Sequence, residues 1–160
     1  MFVGLTACGS SESTPSGDEQ SGQQTGEPEY EWTLAHHLAE ASQQHKGFLK
    51  FADDVYEKSG GRIKINISFG AALGSQRELI EQVNLGTIEM ALGEASLLAN
   101  YCKAFGLICA PFTFIDENQY IDVASNVIND DLNTMLAANS NLRNIAWLYG
   151  GTRDVYATKP

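Results

Sequence analysis

No lysine or arginine occurs among the first 45 residues, although seven acidic residues do; from Lys46 to Pro160 there are thirteen acidic and ten basic side chains. The net charge of -10 at pH 7 therefore divides into -7 on the leading stretch and -3 on the rest. With no basic face or stripe to neutralise phosphates, the composition argues against a nucleic-acid partner. No run approaches the ~18 apolar residues that a membrane span needs. Cysteine is sparse: Cys8, Cys102 and Cys109 make no CxxC pair, so the usual zinc spacing is missing. His36, His37 and His45 form no HExxH pattern, and there is no GxSxG, P-loop or Cys-His-Asn signature. The sequence offers no catalytic set, no metal ligands and no cofactor motif. It reads as a non-enzyme.

What is present begins with "LTACGSSEST", Leu5 to Thr14. Leu5-Thr6-Ala7-Cys8 resembles the bacterial lipobox: an apolar residue, two small residues, then the cysteine that is lipidated and becomes the new N-terminus. Small residues before a cut suit a signal peptidase. The alternative is a chance cysteine near the start. The basic and most of the apolar parts of a signal peptide are missing, so residues 1–8 are read as a truncated lipoprotein signal, with Cys8 as the lipidation site and membrane anchor. Residues 9–31 are Ser, Gly, Gln, Thr, Pro and Glu, with a single Asp at Asp18 and Tyr30 the only aromatic residue. Such a stretch cannot bury enough apolar surface to offset its ordering entropy, which predicts a disordered polar tether.

Past Glu31 the pattern changes. "WTLAHHLAE" has the character of a short strand that ends near His36 and His37. Phe48, Phe51, Ala52, Val55 and Tyr56 recur at helical spacing, and Gly60-Gly61 supply a stop. "RIKINISF" alternates, with Ile63, Ile65, Ile67 and Phe69 on one face. "GAALGSQ" is a glycine-rich loop opening a helix through Leu79, Ile80 and Val83 to Gly86. "TIEMALGE" reads as a strand, "ASLLANY" as a short helix, and Glu117 to Ala138 as one long helix. "RNIAWLY" is expected to be a last buried strand and "RDVYATKP" an extended end. Strands alternating with helices predict an α/β domain with a mainly parallel sheet. Ligands of such sheets sit beyond the carboxyl ends of the strands, which singles out His36-His37, Gly70 to Gln76, Gly93-Glu94 and Gly150 to Arg153.

The segments "LAHHLAE", "HKGFLKFADDVYEKSGGRIKI", "LGSQRELIEQVNLGTIEMAL", "APFTF" and "GGTRDVYATKP" resemble, in order and spacing, the solute receptors of tripartite ATP-independent periplasmic (TRAP) transporters. The resemblance covers residues 32–160, essentially the whole folded part. It implies a periplasmic-binding-protein-like lobe outside the membrane that captures a small organic acid and delivers it to the membrane subunits of a TRAP transporter. A sensory domain of the same fold, reporting ligand to a signalling receptor, is the alternative.

The resemblance also implies roles for particular residues. Arg153 falls where the family's arginine grips the ligand carboxylate, a task suited to a rigid, permanently charged fork; a surface arginine is the bland reading. One of His36 and His37 is expected to face the cleft, with His37 preferred, and the other the domain body. Glu94 matches an acidic position used on ligand hydroxyl or amine groups, or else is a solvated strand-end carboxylate. Gln76 stands where some relatives contact ligand, and Arg77 and Glu78 are expected to pair at a helix start. Trp147 and Tyr149 serve the core or a ligand-facing wall. Leu97 stands near the place of a further arginine found in sialate-specific relatives, which favours a mono- or dicarboxylate or a sugar acid. Family members are about twice as long, so the second lobe is expected beyond Pro160 and the 160-residue chain is expected to bind ligand weakly or not at all. Cys102 and Cys109 are either a disulfide or two free thiols.

Overall fold

The computed structural model describes residues 27–151 and 156–158. Cys8, most of the expected tether and Arg153 lie outside the described residues. Three parallel strands form one sheet in the order β2-β1-β3, with β1 at Tyr30–Ala35, β2 at Ile63–Ser68 and β3 at Met90–Ala91. Parallel neighbours need a crossover between them. The first crossover is α1 (Gln43–Lys58), capped by Ser42, whose hydroxyl accepts from the His45 amide at 3.2 Å. At its other end Gly60 and Gly61 take φ of 65° and 81°, and the Gly61 amide closes on the Tyr56 carbonyl at 2.8 Å. A left-handed turn of this kind ends a helix with least strain at glycine.

Strand alternation then assigns each residue its side. Leu34 and Ile65 are buried with Ala52 of α1, supported by Trp32, Phe48, Val55, Ile63 and Ile67. Ala35 points the other way, into a cluster with Leu79 and Ile88. The second cluster is closed by α2 (Gln76–Leu85), so β1 is covered on both faces. Helix α2 begins with a capping box: the Glu78 carboxylate accepts from the Ser75 amide at 2.7 Å, and Ser75 caps the Glu78 amide in return. That finding corrects the expected Arg77–Glu78 pair, because Glu78 is already taken up by Ser75. The predicted third strand shrinks to two residues. Where it falls short, the Glu89 side chain accepts from the Thr33 amide at 2.7 Å in place of a strand carbonyl. Tyr30 and Glu31, expected in the tether, belong to β1, and Glu31 pairs with its register partner Lys64 at 3.1 Å.

Short helices α3 (Ala95–Leu98) and α4 (Phe105–Ile108) and a longer run from Glu117 enclose a separate core of Ile80, Cys102, Phe105, Ile108, Leu132, Leu136 and Leu142. The run is not one helix. It breaks into α5 (Glu117–Asp122), a π-helical turn at Val123–Val127 and α6 (Asn129–Ala137). Tyr120, Ala124, Ile128, Leu132 and Leu136, all at least partly buried, are spaced four apart. In an unbroken α-helix that spacing drifts by about 40° per step. The wider π turn takes up part of the drift, and Val127 and Met135, off this line, are exposed. Among the described residues no helix is long and apolar enough to cross a membrane.

The expected last strand is also corrected. Residues 143–149 join no sheet among the described residues, and Ile145 and Leu148 are 67% and 48% exposed. At the start of this stretch the Asn133 side chain accepts from the Asn144 amide at 2.7 Å and donates to the Asn144 carbonyl at 2.9 Å, so both backbone groups of Asn144 are occupied. Trp147 is held by its ring, stacked on Phe105 with centroids 5.9 Å apart, and its indole donates to Asn129 at 3.0 Å. Core packing is therefore its role. Cys102 is buried and Cys109 exposed, and both are free thiols.

Candidate functional site

His36 and His37 follow β1 directly, and the ladder continues through the His36 amide, which donates to the Ser68 carbonyl at 2.8 Å. Adjacent side chains must therefore leave by opposite faces. His36 goes to the α1 side and is 1% exposed. Its Nε2 lies 3.0 Å from Nδ1 of the buried His45, with Phe48 against the ring. His37 goes to the α2 side, where its Nε2 lies 2.9 Å from Nε2 of Gln76. Gln76 is the first residue of α2, held there by the capping box on Ser75. Its Oε1 accepts from the Glu94 amide at 3.2 Å. Glu94 follows β3, and its carboxylate accepts from Ser96 at 3.5 Å.

Three loops, each beyond the carboxyl end of a parallel strand, are thus joined through one carboxamide. His37, Gln76 and Glu94, named from the sequence, converge. His36 is placed in the domain body, and Arg153 lies outside the described residues. Between β2 and Gln76 the loop is tightly wound, with Ala71 at φ 58° beside Gly70 at 65°. A non-glycine residue in that region is uncommon and carries local strain.

Sequence reasoning missed two neighbours. Cys109 lies near the Glu94 carboxylate: partial desolvation of the thiol chiefly, although the residue as a whole is exposed, and that charge secondarily, push its pKa up. No motif signals it, since the contact comes from packing α4 against α3. His45 was noticed only as a stray histidine, yet a buried ring in the first turn of α1 is what meets His36. The group offers hydrogen-bond donors and acceptors at the carboxyl ends of the strands. Two surface depressions, about 460 and 280 Å³, are lined by residues such as Tyr101 and Met135 or Leu107 and Val123, and neither lining includes His37, Gln76 or Glu94.

The His36 pair has a consequence for acid stability. Burial first, and then the neighbouring imidazoles of His45 and His37, hold the His36 pKa below its ordinary value. On acidification the unfolded chain takes up this proton before the folded one does. Stability is therefore full above the ordinary imidazole range, about pH 6.5, and is lost as pH falls below it towards the depressed folded value. Between about pH 7 and 5 the wild type is expected to lose more in Tm than a His36→Phe chain. Equal slopes in the two melting series would contradict that role.

Comparison with known proteins places this geometry. A "Solute-binding protein" of Verminephrobacter eiseniae is 29% identical over 129 residues, covering 79% of this chain and 38% of the relative. The C4-dicarboxylate-binding protein DctB of Bacillus subtilis is 30% identical over 122 residues, 76% of this chain and 35% of the relative. Among solved structures, a TRAP periplasmic solute-binding protein of Roseobacter denitrificans with bound L-galactonate superposes with a TM-score of 0.64 at 25% identity, over 71% of this chain and 38% of that one. The chain spans between a third and two fifths of the length of these relatives. Over residues 34–160 it matches the DctP family model, and it belongs to that family, the bacterial extracellular solute-binding proteins of family 7.

Proposed function

We propose that this chain forms one wall of an extracytoplasmic receptor that captures a small organic acid, a mono- or dicarboxylate or a sugar acid, and delivers it to the membrane subunits of a TRAP-type transporter. The observation that carries the reading is the convergence of His37, Gln76 and Glu94 from three strand-end loops in a chain of this family. A relative that binds a C4-dicarboxylate and a neighbour holding L-galactonate supply the ligand class. Arg153 is assigned the carboxylate, and Cys8 the lipid that tethers the receptor to the outer face of a membrane. Palmitate labelling of the chain expressed behind a complete signal sequence, lost in Cys8→Ser, is the check on the anchor.

Ligand-observed NMR tests the chemistry. Succinate and L-galactonate are expected to bind, while succinamide and L-galactose, of similar size without the charge, are not. Arg153→Ala is expected to weaken acid binding by about 2–5 kcal/mol, beyond detection for a weak binder. Neutral analogues that bind as well as the acids, or an Arg153→Ala chain that binds like wild type, would overturn the reading.

A further inference from the structure

Gln76 touches both other members of the strand-end group, and its chemistry leaves little freedom. The Glu94 amide can only donate, so the carboxamide oxygen of Gln76 must face it. That fixes the amide orientation, which a density map alone seldom settles. The NH2 group of Gln76 then faces His37, and it too can only donate. His37 Nε2 must accept, and a neutral imidazole that accepts at Nε2 carries its proton on Nδ1. His37 Nδ1 is buried and has no partner among the described residues.

We propose that Gln76 is a positioning residue: it fixes His37 as the neutral Nδ1–H tautomer and ties the loop after β1 to the loop after β3. Its oxygen and one of its N–H groups are engaged within the protein. The charge that neutralises a ligand carboxylate must then come from elsewhere, and not from His37. That last step rests on the organic-acid reading above; the tautomer assignment does not.

Long-range ¹H–¹⁵N correlation spectra of the ligand-free chain distinguish the two tautomers, with His37 assigned by comparison with His37→Gln. The wild type is expected to show the proton on Nδ1. In Gln76→Glu the side chain can still accept from the Glu94 amide but can no longer donate to His37. The proton is therefore expected to move to Nε2. A wild-type His37 protonated on Nε2, or a Gln76→Glu chain of native amide dispersion with an unchanged pattern, would overturn the proposal. The wild-type spectrum decides even where the variant fails to fold. Because no ligand is present, failure to bind acids would leave this result standing, and acid binding with the wrong tautomer would overturn this inference alone.

Discussion

Replacing Phe105 by alanine is expected to cost about 3–5 kcal/mol, a large part of the stability of a domain this size. Phe105 has no exposed surface and stands in the core that α3, α4 and α6 build beside the sheet. Its ring is also the platform for Trp147, which anchors the extended stretch 143–149 in place of a strand ladder. Removing it creates a cavity and frees that stretch together. Urea unfolding should therefore show the lost stability, and Trp147 emission should shift to the red in the folded chain. A cost below about 1 kcal/mol would mean that residues 95–142 do not share one core.

Leu79→Ala is expected to cost about 2–5 kcal/mol. Leu79 is fully buried between Ala35 of the central strand and Ile88, so it is the bolt that fastens α2 to the sheet. The same helix carries Gln76 one turn earlier. Loosening α2 should thus also disturb the Gln76–His37 contact, seen as broadened His37 resonances. Leu85→Ala on the same helix is the control: Leu85 is 69% exposed, and its loss should change stability by less than about 0.5 kcal/mol. Comparable costs at the two positions would contradict the docking described for α2.

Local patterning made much of this legible. The period-two alternation of Ile63, Ile65 and Ile67 and the helical spacing from Phe48 to Tyr56 each follow from one face meeting one core. Ser75 and Gly86, the start and stop of α2, are signals carried by single residues. What was not legible depends on distant partners. The chain from Glu117 keeps a helical period on either side of Val123–Val127, so nothing local marks the π turn. "RNIAWLY" has strand character, but its Asn144 backbone is held by Asn133, eleven residues earlier, a contact that no local pattern announces. For the site, alternation explains why His36 and His37 part company. The meeting of His37 with Gln76 across 39 residues required the sheet order β2-β1-β3 to be known.

The most direct test of the account is where an organic acid lands on the chain. Backbone amide shifts should be mapped while L-galactonate is titrated to millimolar concentration. The account requires the perturbations to centre on residues 36–38, 70–76 and 93–94, at the carboxyl ends of the three strands, and on the segment 150–153 that carries the assigned Arg153. Shifts centred instead on the depression around Tyr101 and Met135 would contradict it.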